Sequence, residues 1–335
     1  MREPSFWWRE RGLMANLLAP LGALYGAIAA RRLAQPGERV GAPVICVGNL
    51  TLGGAGKTPT AIALARLLQA AGAKPVFLSR GYGGRDAGPV AVTSAHAASQ
   101  VGDEPLLLAR VAPTVVARDR VAGARAALKS GDVIVMDDGF QNPALEKTFS
   151  LIVVDGRRGI GNGCIFPAGP LRAPLDAQLG RAQVILVVGE PGPAAQPVLA
   201  AARARGLPVI GGRLVADPQA IAALQGRHTL AFAGIADPDK FFATLRGAGV
   251  AVAATQRFPD HHRLSAAEAG ELVRRAERAG LTLVTTEKDL ARMQGEAALA
   301  ALAARAASLP VTLAFDDEKA VQQLVAVAQG WARPG

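Results

Sequence analysis

The residues Thr51-Leu52-Gly53-Gly54-Ala55-Gly56-Lys57-Thr58 stand between an apolar, β-branched run and a stretch whose apolar residues recur at helical spacing. A strand, a glycine-rich turn and a helix in this order suit a phosphate-binding loop, because small residues let backbone N–H groups approach phosphates at a helix N-terminus. Lys57 is then placed to reach the terminal phosphates, and the Thr58 hydroxyl to ligate Mg²⁺. Thr51 departs from the strict pattern, which has glycine there. The run predicts a site for ATP and Mg²⁺ and disfavours the alternative, a turn whose lysine is merely solvated.

Short apolar runs alternate with Ala- and Leu-rich helical stretches on both sides of this loop. Most of the runs are continuously apolar, as expected when helices cover both faces of a parallel sheet. Strands are predicted at residues 43–47, 76–79, 114–117, 133–136, 151–154 and 184–188. The pattern therefore predicts the α/β class, with a doubly wound parallel sheet built around the phosphate loop.

A second alternation of short apolar runs and helical stretches follows the Pro-, Gly- and Ala-rich residues 191–218. Ser265 followed by Glu268 predicts the capped start of a helix in this part. Further strands are predicted near residues 229–233, 250–254, 281–285 and 311–314. We therefore predict three units, which are an N-terminal helix (1–35), a P-loop domain (36–220) and a smaller α/β domain (221–335).

Composition limits the partners of this chain of 335 residues. Its formal net charge is +10, and aromatic residues make up only 4% of it. A basic surface without interleaved aromatic residues argues against a platform for single-stranded nucleic acid, so no nucleic-acid partner is expected. Nucleotide phosphates, a phosphorylated substrate or an anionic bilayer would each account for the charge. The two cysteines, Cys46 and Cys164, have no metal-ligand spacing and indicate a reducing compartment. A monomer is expected.

Residues 13–30 carry no charge, and two arginines stand close to each end of this stretch. Spanning a bilayer takes ~20 apolar residues, and this stretch is short and interrupted by Asn16 and Pro20. Export as a signal peptide would place the phosphate loop where ATP is absent. We predict an interfacial helix that holds the protein peripherally on the cytoplasmic face of a membrane. A true span and a helix packed on its own domain remain the alternatives.

The apolar run 133–136 ends in Asp137 and Asp138. Adjacent side chains at a strand end point in different directions, so one aspartate can hold Mg²⁺ while the other holds a ligating water or a lysine. A helix cap or a solvated turn is the alternative for the pair alone. Beside a phosphate loop, the pair predicts a metal site formed by Thr58, Asp137 and Asp138.

Asp103 lies in the run Gly102-Asp103-Glu104-Pro105, outside both nucleotide motifs. A kinase that acts on an alcohol needs a group to accept the hydroxyl proton, and an aspartate near the γ-phosphate suits that role. The alternative for Asp103 is a helix cap. His261 and His262 lie in a second polar run, residues 258–262, for which a plain loop is the alternative.

These motifs, in this order, resemble those of the tetraacyldisaccharide 4'-kinases, which phosphorylate the disaccharide precursor of lipid A. The resemblance covers most of the chain and is carried by Gly48-Asn49-Leu50-Thr51, the phosphate loop with Pro59, Ser79-Arg80-Gly81-Tyr82-Gly83, Gly102-Asp103-Glu104-Pro105, Asp137-Asp138-Gly139-Phe140-Gln141, Phe166-Pro167-Ala168-Gly169-Pro170-Leu171-Arg172, Phe258-Pro259-Asp260-His261-His262 and Thr285-Thr286-Glu287-Lys288-Asp289. Two positions depart from it, Asn142 and Gly84. The resemblance implies a membrane-associated N-terminal helix, ATP bound between two domains, and Mg²⁺ held by the aspartate pair.

It also implies transfer of the γ-phosphoryl group of ATP to the 4'-hydroxyl of a tetraacylated glucosamine disaccharide phosphate. Asp103 is assigned as proton acceptor, oriented by His261, while Arg80 and Tyr82 are assigned to the substrate. Two other classes remain. A nucleotide-switched membrane scaffold would not need Asp103, and a metal-dependent phosphoesterase would use both aspartates of the pair, Asp260 and the histidines without ATP.

Overall fold

The strand that precedes the glycine-rich loop lies inside a nine-stranded sheet of the computed structural model, which describes residues 3–330. The strands, in chain order, are β1 (Val44–Asn49), β2 (Pro75–Ser79), β3 (Val90–Ala91), β4 (Thr114–Val116), β5 (Val133–Asp137), β6 (Phe149–Asp155), β7 (Val184–Val188), β8 (Val209–Ala216), β9 (His228–Ala233), β10 (Ala251–Arg257), β11 (Thr282–Thr286), β12 (Ala307–Leu309) and β13 (Val311–Phe315). The nine-stranded sheet has the order β13-β8-β7-β6-β1-β5-β2-β4-β3. Its neighbours are parallel except for β3 on β4 and β13 on β8.

Helices cover both faces of this sheet, and others in the same series belong to the smaller unit. The helices are α1 (Leu13–Leu33), α2 (Lys57–Ala70), α3 (Ala98–Val101), α4 (Asp103–Leu108), α5 (Arg120–Ala127), α6 (Leu175–Leu179), α7 (Gln196–Ala204), α8 (Pro218–Leu224), α9 (Pro238–Gly247), α10 (Ala266–Ala279), α11 (Glu287–Met293), α12 (Ala300–Arg305) and α13 (Glu318–Gly330). Alternate residues of β1 enter two separate cores, since Ile45 packs with α2 whereas Cys46 packs with α5 and α7. The predicted doubly wound α/β sheet is therefore confirmed.

A second sheet of four parallel strands, in the order β10-β9-β11-β12, forms the smaller unit. Phe242 of α9 packs on one face of it and Leu272 of α10 on the other. The predicted cap of α10 is present, because Ser265 and Glu268 exchange side-chain to backbone hydrogen bonds.

The end of the chain differs from the predicted division into units. The strand expected near residues 311–314 was assigned to the smaller unit, but β13 pairs antiparallel with β8 at the edge of the large sheet. The reason is burial, because Leu313 packs into the core beneath α2. The partner strand β8 lies in the Pro- and Gly-rich stretch, where no strand was predicted.

Helix α1 runs without a break from Leu13 to Leu33, although Pro20 lies inside it. Three of its small residues, Ala15, Gly22 and Gly26, face the protein, and an added Cβ on Gly22 would lie 2.8 Å from the carbonyl oxygen of Ile165. Most of its large apolar residues are 41–77% exposed, and they are Leu13, Met14, Leu17, Leu21, Leu24, Tyr25 and Ile28. By length and composition α1 is also long and apolar enough to cross a membrane. The helix thus docks on its own domain by a narrow face and leaves a broad apolar face uncovered.

Candidate active site

The phosphate loop joins β1 to α2, which begins at Lys57. Gly53 and Gly56 have φ values of 102° and 90°, in the left-handed region that favours glycine. The Lys57 ammonium donates to the carbonyl of Gly53 at 3.2 Å and lies 3.7 Å from Oδ2 of Asp138. Burial lowers the pKa of Lys57, while the charge of Asp138 opposes that effect. The loop therefore holds a partly desolvated cation at the N-terminus of a helix, where anions are favoured.

The aspartate pair lies at the end of β5, directly beside this loop. The Thr58 hydroxyl donates to Oδ2 of Asp137 at 2.9 Å, whereas Oδ1 of Asp137 is buried and has no hydrogen-bond partner among residues 3–330. Burial raises the pKa of the Asp137 carboxyl. A buried carboxylate oxygen without a partner, next to a threonine hydroxyl, fits an Mg²⁺ site built from oxygen ligands. Thr58 and Asp137 are the residues that would hold the ion.

Asp138, the third residue of the predicted metal site, takes a different set of contacts from Asp137. Arg172 binds both of its carboxylate oxygens, at 2.8 and 3.2 Å, and Lys57 lies on the other side. Burial alone would raise the pKa of Asp138, but Lys57 and Arg172 outweigh it and hold this pKa well below its usual value. Arg172 also donates to the backbone oxygen of Thr51 at 2.9 Å. The arginine thus ties the aspartate pair to the start of the phosphate loop.

Asp103 is the first residue of α4 and is buried. The N-cap position of α4 is taken by Gly102, so Asp103 is not its capping residue. Instead, Oδ2 lies 2.7 Å from Nε and 2.6 Å from Nη2 of Arg292, and 3.6 Å from Nδ1 of His261. Burial would raise the pKa of Asp103, but the neighbouring Glu104 and His261 side chains and the charge of Arg292 hold it well below its usual value. The contacts of Asp103 are thus those of an ionised, buried carboxylate rather than those of a helix cap.

The two histidines have separate surroundings. His261 has a φ of 56°, and its ring lies 5.0 Å from that of Tyr82, edge to face. The adjacent Asp103 carboxylate raises the pKa of His261. His262 instead stacks on Phe258 and contacts Glu268 at 3.0 Å. His261 is therefore the histidine that faces the candidate base.

One cavity of about 870 Å³ lies between the two sheets. The predicted site residues that line it are Leu52, Gly53, Gly54, Gly56, Lys57, Thr58, Arg80, Tyr82, Asp137, Asp138 and His261. Asp103 lies just beyond, in an adjoining cavity of about 200 Å³ that shares Tyr82 and His261. Thr51 and Ala55, also predicted to bind the nucleotide, are buried and are not among the residues that line the large cavity. Their side chains serve the packing of the loop.

Lys288 of the smaller unit also lines the large cavity. It binds Glu104 at 2.9 Å. Burial raises the pKa of Glu104 to about 7, against the opposing charge of Lys288. The interpretation of the sequence gave no role to Glu104, Arg172, Lys288 or Arg292. The first three lay inside recognised motifs, whereas nothing in the sequence pointed to Arg292.

Comparisons with known proteins show the family of this chain. Residues 14–329 match the family model described as tetraacyldisaccharide-1-P 4'-kinase, LpxK. A relative named tetraacyldisaccharide 4'-kinase from Methylobacterium sp. (strain 4-46) is 58% identical, covering 100% of both chains. One of the same name from Nitrobacter winogradskyi is 57% identical over 97% of each. The crystal structure of LpxK from Aquifex aeolicus in complex with ATP covers 95% of this chain and all of its own, with a TM-score of 0.69 and 24% identity, and so shares the fold. The chain belongs to the tetraacyldisaccharide 4'-kinase family.

Proposed function

We propose that this chain transfers the γ-phosphoryl group of MgATP to the 4'-hydroxyl of the tetraacylated glucosamine disaccharide 1-phosphate, a step in lipid A biosynthesis. Membership of the family supports this activity. The observation that carries it is the pairing of Asp103 with His261 beside the cavity that the phosphate loop lines. A nucleotide-switched scaffold would not need this pair, and a phosphoesterase would not need the loop.

The phosphate loop forms the half of the site that binds the nucleotide. Backbone N–H groups at the start of α2 bind the phosphates of ATP, and Lys57 offsets negative charge on the transferring group. Mg²⁺ held by Thr58 and Asp137 would neutralise charge on the phosphate oxygens. Asp138 keeps Lys57 and Arg172 in place beside the residues that would hold the ion.

Asp103 and His261 form the half of the site that meets the acceptor hydroxyl. Asp103 receives the proton of the 4'-hydroxyl as the new P–O bond forms, and His261 holds the Asp103 carboxylate in position. Arg80 and Tyr82 lie in the same cavity and are assigned to the disaccharide and its own phosphate. Lys288 reaches this cavity from the smaller unit, which supports the inference that this unit closes over the nucleotide.

A direct assay tests the activity. Purified protein is incubated with ATP labelled in the γ-phosphate and with the lipid disaccharide in detergent micelles, and the label in the lipid is measured. We expect label transfer that needs ATP, Mg²⁺ and lipid together. Hydrolysis of ATP without labelled lipid would favour the scaffold, and phosphate release from the lipid without ATP would favour the phosphoesterase.

The Asp137→Asn variant tests the metal assignment. Loss of a ligand charge should raise the Mg²⁺ concentration for half-maximal activity by at least about 10-fold, because Mg²⁺ prefers carboxylate ligands. The measurement is an Mg²⁺ titration of turnover at saturating ATP. Asp176→Asn is the control, because Asp176 is exposed and pairs only with the surface residue Arg205. An unchanged Mg²⁺ requirement in Asp137→Asn would remove this residue from the metal site.

Helix α1 is assigned to the surface of the membrane, with the protein held peripherally on the cytoplasmic face of the inner membrane. Its uncovered apolar side chains support binding at the interface between headgroups and acyl chains, and the net charge of +10 supports attraction to anionic lipid. Such docking brings the cavity to a substrate that is itself a lipid.

We expect the triple variant Leu17→Gln, Leu21→Gln and Leu24→Gln to lose more than about 10-fold in affinity for anionic vesicles, since burying one leucine contributes ~1.5–3 kcal/mol. Co-sedimentation measures it. Val215→Gln, at an exposed apolar residue of β8, is the control. Release of the intact protein by salt or alkaline wash would agree with peripheral binding, whereas release by detergent alone would show that α1 spans the bilayer.

A further inference from the structure

Arg292 lies on α11 of the smaller unit, and its side chain is only 8% exposed. Its guanidinium joins three groups at once. Nε and Nη2 contact Oδ2 of Asp103, while Nη1 donates to Oδ1 of Asp289 at 2.8 Å and to the carbonyl oxygen of Gly234 at 2.6 Å. A planar guanidinium that is bound on both edges has little freedom to move, so its position fixes that of the carboxylate it binds.

Asp289 and Gly234, the other two partners of Arg292, are themselves held by hydrogen bonds within the smaller unit. Both carboxylate oxygens of Asp289 accept from the backbone N–H of Gly234 at 3.1 Å, and Oδ2 accepts from the Thr286 hydroxyl at 2.7 Å. Gly234 follows β9 and Thr286 ends β11, so the anchor rests on two neighbouring strands. The framework that holds Arg292 is therefore the parallel sheet of the smaller unit.

The contacts of α11 with α4 form two parallel ion pairs. Arg292 pairs with Asp103, and Lys288, one helical turn earlier, pairs with Glu104. Two cations at i and i+4 on one helix thus meet two adjacent carboxylates on the other. This arrangement makes the position of Asp103 depend on the docking of the smaller unit.

We propose that Arg292 is a positioning residue for phosphoryl transfer, which holds the Asp103 carboxylate ionised and aligned only when α11 of the smaller unit is docked on α4. This proposal rests on the proposed function, in which Asp103 accepts the hydroxyl proton. It assigns to the smaller unit a part in preparing the base, beyond closing over the nucleotide.

The charges around Asp103 set the direction of the pH dependence. It is faced by Glu104 from its own helix, by His261 from the loop after β10, and by Lys288, Asp289 and Arg292 from α11. Removing the positive charge of Arg292 removes one of the effects that lower the pKa of Asp103, so this pKa rises. A base works only when ionised, and its activity is lost as pH falls through its pKa. The acid limb of the kcat profile should therefore move to higher pH.

The experiment compares Arg292→Lys and Arg292→Ala with the wild type in the lipid kinase assay. We expect Arg292→Lys to lower kcat by about 10-fold to 10²-fold. A single ammonium cannot bind Asp103 and Asp289 at once as the two edges of the guanidinium do, and a small displacement of the Asp103 carboxylate is costly to the rate. KM for ATP should stay within about twofold, since Arg292 does not touch the phosphate loop. Arg292→Ala should lose more, should shift the acid limb upward and should recover part of its kcat when guanidinium is added at millimolar concentration.

Arg110→Ala is the matched control. Arg110 also bridges the two units, through Glu287 at 3.7 Å and Gln294 at 3.3 Å, but it is exposed and makes no contact with Asp103. Its kcat and pH profile should stay at wild-type values.

Thermal melting and ATP affinity are measured for every variant. Wild-type kcat and pH profile in Arg292→Lys, beside an inactive Asp103→Asn, would overturn the positioning role alone. Normal turnover by Asp103→Asn would overturn both that role and the proton-acceptor assignment. A loss of ATP affinity in step with activity, without rescue by guanidinium, would also overturn the proposal, because it would mark a general structural role.

Discussion

Replacing Lys57 with alanine is expected to lower kcat for lipid phosphorylation by about 10²–10³-fold, the usual effect of removing one group that stabilises transition-state charge. Lys57 lies at the start of α2 with its ammonium against Gly53 and Asp138. Its loss would also leave Asp138 with one cation fewer beside the phosphates. The steady-state kcat and KM for ATP of Lys57→Ala separate loss of turnover from loss of binding. Its melting temperature is measured as well, to show that the variant folds like the wild type.

Lys129→Ala is the control for Lys57→Ala, because Lys129 is exposed and lies at the end of α5. It removes the same charge from the protein without touching the loop. Near wild-type turnover by Lys57→Ala would show that the loop does not bind the transferred phosphate. A raised KM with unchanged kcat would show that Lys57 contributes only to ground-state binding.

Those features of the site that depend on local sequence were predictable. The phosphate loop falls between β1 and α2, and Asp137 ends β5, because a strand, a glycine-rich turn and a helix each leave a short-range pattern. Parallel pairing of β1 with β5 then brings Asp137 beside Thr58, although the two are 79 residues apart. The order of the motifs along the chain also pointed to the correct family.

Features that depend on distant contacts were not predictable in the same way. In the sequence, β13 resembles the strands of the smaller unit that precede it. Its pairing with β8 in the large sheet is decided by the burial of Leu313 under α2. The pairing of Arg292 with Asp103 joins residues 189 apart. No spacing rule reaches that far, because the pair exists only when α11 docks on α4.

The choice between the two histidines shows why a motif leaves roles open. His261 and His262 are neighbours in one polar run, and the sequence treats them alike. In the structure, the capping residue Glu268 also contacts His262, and the left-handed backbone at His261 turns its ring towards Asp103 and Tyr82. The helix cap was visible in the sequence, but its contact with His262 was not.

Asp103→Asn should lower kcat by ~10²–10⁴, the usual contribution of a general base, while ATP affinity stays close to wild type. An amide keeps the size of the side chain but cannot accept the hydroxyl proton. His261→Ala should cost less if it only orients Asp103. The double variant should cost much less than the product of the two losses, because groups that act as a unit are not additive.

A true helix cap supplies the comparison that decides the role of Asp103. Asp119 caps α5 by accepting from the backbone N–H groups of Val121 and Ala122. Asp119→Ala should therefore lower the free energy of unfolding by about 0.5–2 kcal/mol and leave turnover unchanged. If Asp103→Asn likewise lost only stability and turned over lipid normally, Asp103 would not be the proton acceptor. A large loss of kcat at unchanged ATP affinity, beside a normal Asp119→Ala, separates the kinase from a scaffold that merely binds nucleotide, because only the kinase needs a base.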